Sequence, residues 1–277
     1  MDSRKTRLLR PARVVTALML AVMLPGFGPL AAAEPAQSAE VAEQHAKAKK
    51  IVPNMAQFMA KLPSFSVTIR SGYDAIQADG QSIEFGDYRH ILIQRPNHMR
   101  VGRVRSDGEQ GLMYFDGKQI TVFNQPDNAY SQQALSGSVD DALVYLVKDL
   151  QVAFPLARLL HTGFPQMVEQ RFSEVRHVEE SVLFDMVTDH VAIRTSQVDV
   201  QMWIAQGDKP LLQRIIIVYK NAPGQPQFRA YLSDWAIAPP MAADAFTSSP
   251  PPAAEKIPLV LRVPRRELPD GSEGDLQ

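Results

Sequence analysis

Two long stretches of apolar–polar alternation, Phe65 to Tyr130 and Glu174 to Ile237, constrain this chain more than any other feature. A period of two places successive side chains on opposite faces of an extended strand, so each such segment offers one face to a core. In the first stretch Phe65, Val67 and Ile69 alternate with Ser66, Thr68 and Arg70. Ile83 to Ile93 reads as a strand, with Gly86 expected at a bulge. Met99 to Arg105 follows the turn Arg95-Pro96-Asn97. Leu112 to Phe115 and Gln119 to Phe123 flank Asp116-Gly117, a strong hairpin signal. The second stretch predicts strands over Glu174 to Val182, His190 to Thr195, Val200 to Ala205, Leu211 to Lys220 and Gln227 to Ile237. Ile215-Ile216-Ile217-Val218 is apolar at every position, which predicts a strand covered on both sides. Strands follow strands without an intervening helix, which excludes a doubly wound or barrel α/β fold.

Helical signals lie before and between the two stretches. Glu34 to Lys50 is a polar lead, and Pro53 is expected to open a short helix. Met55, Phe58, Met59 and Leu62 then form one apolar stripe, which Pro63 ends. Ser138 with Asp141 three residues on reads as a capping box ahead of the stripe Leu143, Leu146, Val147 and Leu150. Further short helices are expected over Phe154 to Leu160 and Pro165 to Phe172. The order implies an α+β, mainly β, protein. It is expected to be one large curved antiparallel sheet with helices on its concave face. The domain is expected to span 51–261, with a Pro-, Gly- and charge-rich disordered tail over 262–277.

Residues 1–33 read as a signal peptide: a basic start, an apolar run from Val14 to Leu24, and a small-residue cleavage site near Ala33. The run is shorter than the ~20 residues that a membrane span needs. The expected location is therefore the periplasm. The whole chain has a formal net charge of −1, and cleavage leaves 24 basic against 29 acidic residues, about −5. An acidic balance argues against nucleic acid as a partner. The chain has no cysteine, which excludes disulfides and thiolate chemistry.

No catalytic signature is present: the chain lacks G-x-S-x-G, H-E-x-x-H, a phosphate-binding loop and G-x-G-x-x-G. The expectation is a protein that is not an enzyme and has no cofactor or metal, with a hydrolase as the third reading. His177 and Glu179 stand two apart, so they would share a strand face as half of a metal site or, more simply, as a solvent-facing edge. His190 would begin a strand and could face the interior. Arg103 and Arg105 share a strand face and are candidates for holding an anionic head group at a cavity mouth. Trp203 and Trp235 are candidates for lining an apolar cavity, together with Met55, Phe58, Met59, Leu62, Leu143, Leu146 and Val147.

The chain resembles a bacterial family of predicted periplasmic proteins. The resemblance rests on Arg95-Pro96, Tyr114-Phe115-Asp116-Gly117-Lys118, Phe154-Pro155-Leu156-Ala157, Asp199 to Ile204, Lys209-Pro210 and Ser233-Asp234-Trp235. It covers roughly residues 50 to 257. That family is similar in architecture to the periplasmic lipoprotein carriers of the LolA/LolB type, which implies a half-barrel with helices plugging a hydrophobic cavity. The resemblance does not transfer a function; with the sheet-plus-apolar-helix pattern, that architecture makes a soluble periplasmic binding or carrier protein for a lipid or acyl chain the leading expectation, with transient contact at a membrane surface. The other reading is an envelope scaffold with a filled core, whose mark would be an exposed apolar patch or a free sheet edge.

Overall fold

The computed structural model describes residues 34–259, with side chains from residue 42 onward. The expected signal peptide and the tail from 262 lie outside the described residues. A helix, α1 (Glu34–Lys61), leads into six strands: β1 (Ser64–Ile76), β2 (Ser82–Gln94), β3 (His98–Arg105), β4 (Gln110–Phe115), β5 (Gln119–Asn124) and β6 (Ala129–Ala134). A helical crossover follows: α2 (Val139–Val144), a π-helical turn over Tyr145–Asp149, α3 (Ala157–Leu160) and α4 (Phe164–Arg171). Five long strands return as β7 (Glu174–Leu183), β8 (Met186–Arg194), β9 (Val198–Ala205), β10 (Leu212–Tyr219) and β11 (Gln227–Ile237). A two-residue β12 (Glu255–Lys256) ends the order.

All twelve strands belong to one unclosed sheet, in the order β12-β6-β5-β4-β3-β2-β1-β11-β10-β9-β8-β7. β1 is the hinge of this topology. The strands of the first alternating block step away from it on one side, and β11 back to β7 step away on the other. Neighbours are antiparallel except β12, which lies parallel to β6. One face carries the core. Phe65, Val67 and Ile69 of β1, Ile91 and Ile93 of β2, Val191 and Ile193 of β8 and Val200, Met202 and Ile204 of β9 are all buried there. The helices cover this face, as the alternation requires.

Several local expectations are corrected. Pro53 does not open a helix: it lies inside α1, which runs on through the polar lead. Tertiary burial overrides the proline, because Ala48, Val52, Met55, Ala56 and Met59 make a continuous buried stripe on both sides of it. Phe154 lies outside any helix, and α3 keeps only the last turn of the expected segment. β8 begins at Met186, well before His190, because β7 and β8 form a tight hairpin through Phe184 and Asp185. Both turn residues have positive φ, 48° and 63°, the conformation that usually selects Asn-Gly. The strand β10 is covered fully on one face only, since Ile216 and Val218 remain half-buried. The capping box at Ser138 and Asp141 is present, with the Ser138 backbone N–H donating to Asp141 at 2.8 Å.

Gly86 is not at a bulge. It pairs in register with Gly72, and a Cβ built on it would stand 2.9 Å from the Ser71 carbonyl oxygen. The position needs glycine for close backbone approach. Gly86→Ala should therefore destabilise the fold by roughly 1–3 kcal/mol, as overpacked sites do. Gly102→Ala on β3, where the new Cβ would meet only Leu112 at 3.5 Å, should be nearly neutral. Urea denaturation of the two variants checks this: equal midpoints would refute the backbone-contact account.

Candidate functional site

The concave face and its helical cover form the candidate site. Met55, Met59, Leu62, Leu143 and Leu146 are all buried in the common core. Phe58, Val147 and Trp235 pack against that core while half-buried. Trp235 stacks near Phe65, with ring centroids 5.8 Å apart, and its indole N–H donates to the Leu212 carbonyl at 3.0 Å. The structure thus brings eight of the nine apolar candidates together as packing. Two open pockets border the layer. One, about 350 Å³, lies between α1, α4 and the start of β7, lined by Ala48, Val52, Pro53, Val168, Phe172 and Val175. The other, about 300 Å³, lies at the β2–β3 and β4–β5 turns, beside His98, Asp116 and Phe246.

The helical cover is held in two different ways. The Lys47 ammonium on α1 bridges Glu180 at 2.8 Å and Asp189 at 3.1 Å, and Asp189 also meets the His177 Nε2 at 2.8 Å. That network fastens α1 to β7 and β8. The α2–α3 layer hangs on Arg95, at the end of β2. Arg95 donates to the Leu160 carbonyl at 2.6 Å and to Asp140 at 3.4 Å. Asp140 in turn accepts from the Thr162 amide at 3.1 Å and from its hydroxyl. Burial pushes the Arg95 guanidinium below its ordinary value, and Asp140 opposes that shift. The Arg95 Nε is buried without a partner among the described residues.

Beside the apolar floor lies a charged cluster. Asp87, Arg89, Ile91 and Ile93 follow one another on the concave side of β2, and Arg103 of β3 pairs opposite Arg89. The Asp87 carboxylate accepts from the Ser71 hydroxyl at 2.7 Å, from Arg89 at 2.6 Å and from the Arg103 Nε at 3.0 Å. Arg89 is only 8% exposed, and Phe154 covers its guanidinium, 4.8 Å from ring centroid to Cζ. Burial pushes the Arg89 guanidinium down from its ordinary value, Asp87 pulls it back, and Arg103 adds to the lowering. Arg105 shares the face with Arg103 as expected, but it is bound to Glu109 and Asp107.

The convex face explains the remaining candidates. Trp203 does not face the core: Met202 and Ile204 do, and Trp203 points the other way. It pairs between His190 and Arg214. The imidazole stacks flat on the indole, 4.1 Å between centroids and 9° between planes, and Arg214 lies 4.5 Å from the ring centroid. His190 is therefore mid-strand on the outer face, with Gln201 at 3.1 Å and Glu179 at 3.6 Å as partners. His177 and Glu179 do not share a face. A bulge between them leaves His177 opposite Val191 and Glu179 opposite His190. Among the described residues no three His, Asp or Glu side chains gather as a metal site.

Residues 48–260 match a family model described as "Predicted periplasmic protein (DUF2092)". The chain belongs to that family. A comparison with the curated proteins finds no match. Among solved structures the family member is similar to LprF from Mycobacterium bovis, at 12% identity, covering 73% of this chain and 98% of that one, with a TM-score of 0.45. It is also similar to a LolA superfamily protein from Nitrosomonas europaea, at 11% identity, 73% and 97% coverage and a TM-score of 0.34. A third likeness is to MucB in the Pseudomonas aeruginosa MucA/MucB complex, at 13% identity, 73% and 61% coverage and a TM-score of 0.42.

Sequence reasoning missed Arg89 and Asp87, although the signal was there: 87, 89, 91 and 93 continue one period-two face. The cluster generates a stability test. Asp87→Asn leaves two guanidinium groups without their shared carboxylate and should destabilise the fold by about 3–5 kcal/mol. Arg103→Gln, at a side chain 42% exposed, should change stability by less than about 1 kcal/mol. Denaturant midpoints of both variants decide it, and a neutral Asp87→Asn would mean the cluster is not held by this carboxylate.

Proposed function

We propose that this periplasmic family member binds a hydrophobic ligand, a lipid or acyl chain, between the concave sheet face and the α2–α3 layer. The observation that carries the reading is how lightly that layer is built. It consists of a six-residue helix, a five-residue π-helical turn and a four-residue helix over an apolar floor. Helices this short are marginal by themselves, and π-turns recur where a helix must adjust. Gln151, just beyond the turn, has a φ of 51°, which few residues other than glycine adopt. Its polar ties to the end of β2 include Arg95 and a backbone bond from the Val139 amide to the Pro96 carbonyl at 2.7 Å. An acyl chain laid on the apolar floor in place of this layer would recover ~0.8 kcal/mol per buried CH₂.

The direct test is lipid extraction and mass spectrometry on protein purified without detergent. A stoichiometric acyl lipid is expected. A protein that carries none and takes up no fluorescent fatty-acid probe would overturn the reading. Arg95→Ala should accelerate amide exchange over residues 139–162 at least tenfold while leaving α1 protected. Exchange unchanged from wild type would show that Arg95 does not hold the layer.

A second reading, an envelope interaction protein, has its own observation. Among the described residues β7 ends the sheet, paired on one side with β8. Its hairpin with β8 exposes Val182 at 70% and Phe184 at 78%, with Met186 and Val187 beside them. If the lipid tests fail, this hairpin is the surface to examine.

A further inference from the structure

The charges beside the apolar floor are unevenly shared. Arg89 and Arg103 share one carboxylate, Asp87, whereas Arg105 alone has two, Asp107 and Glu109. Around Asp87 one cation is in excess, and the pairing locates it. Arg89 is buried and its face is taken by Phe154. Arg103 spends only its Nε on Asp87, has no other polar partner among the described residues, and remains 42% exposed. Its position is as informative as its charge. The next residue pair along the same face is Ile91 opposite Val101, where the apolar floor begins, and Met113 lies across from Val101 on β4. A guanidinium anchored through Nε keeps its remaining donors in a fixed plane, which suits the oxygens of a carboxylate or phosphate.

We propose that the ligand is an anionic amphiphile whose head group sits on Arg103, with Arg89 behind it, while its chain runs onto the floor at Ile91 and Val101. This rests on the acyl-binding reading above and names the ligand class: an acid, whether carboxylate or phosphate ester. Arg105, expected from the sequence to share the role, does not, because its own acidic neighbours neutralise it.

The test compares three probes of one chain length on the full protein: a long-chain fatty acid, the corresponding alkyl phosphate and the corresponding alcohol. Each displaces a neutral fluorescent probe. Wild type should bind at least one of the two anions about tenfold more tightly than the alcohol, and which anion is preferred distinguishes the two head-group sources. Arg103→Gln should erase that preference by weakening the anions about tenfold more than the alcohol, and Arg103→Lys should keep part of it. Arg105→Gln should keep all of it. Equal binding of acids and alcohol by wild type, or a preference that survives Arg103→Gln, overturns the head-group assignment alone. Failure of all three probes to bind overturns it together with the acyl-binding reading.

Discussion

A sheet of twelve strands with one apolar face cannot stand bare in water, and the rest of this structure follows from how that face is covered. The alternation fixes which side chains point inward. Phe65, Val67, Ile69, Ile91 and Ile93 form a continuous floor across the two central strands, each fully buried. Among the described residues, the helices that can cover it lie before β1 and between β6 and β7. The two supplies differ in build. α1 is long, lays a full stripe from Ala48 to Met59 on the sheet, and is fastened by Lys47 to two carboxylates. The crossover is a string of short pieces around a π-turn. Local stability need not be uniform in a molecule covered in two such different ways.

The broad fold was legible because period two survives anything that happens at long range. The apolar stripe of α2 and its capping box were legible for the same local reason. Some failures lie where tertiary packing decides, as at Pro53 and Phe154, and others at one bulge and one turn. A single inserted residue exchanges the faces of everything beyond it. From sequence, His177 and Glu179 had to share a face, and one bulge separates them. The β7–β8 hairpin was hard to see because Phe184 stands where a turn with two positive φ values favours Asn, Asp or Gly, and Asp185 alone is a weak turn signal. The strand was consequently begun at His190, which hid the histidine's true place beside Trp203.

The candidate site was half legible. Arg103 and Arg105 were found because both lie on one short strand. Their different roles depend on partners that only strand pairing supplies: Asp87 comes from β2, while Glu109 and Asp107 come from the turn into β4. Arg89 was readable in principle as the continuation of the Ile91–Ile93 face. An arginine on an apolar face is easily taken as the point where the face ends. Here the face continues, with its polarity changed.

That change of polarity is the feature that a filled structural core does not require. Hydrophobic side chains of similar volume at 87, 89 and 103 would extend the floor, and replacing a buried ion pair in this way is often neutral or stabilising. Keeping two guanidinium groups and one carboxylate there places a fixed, unbalanced charge beside an apolar floor. An amphiphile has the complementary arrangement, a charge at one end of a chain. The convex face offers the contrast. There Arg214 and His190 are also stacked on aromatic rings, but around Trp203 and Tyr231, away from the helices and from any apolar floor. The same residue types serve packing on one side of the sheet, and on the other they border the apolar floor.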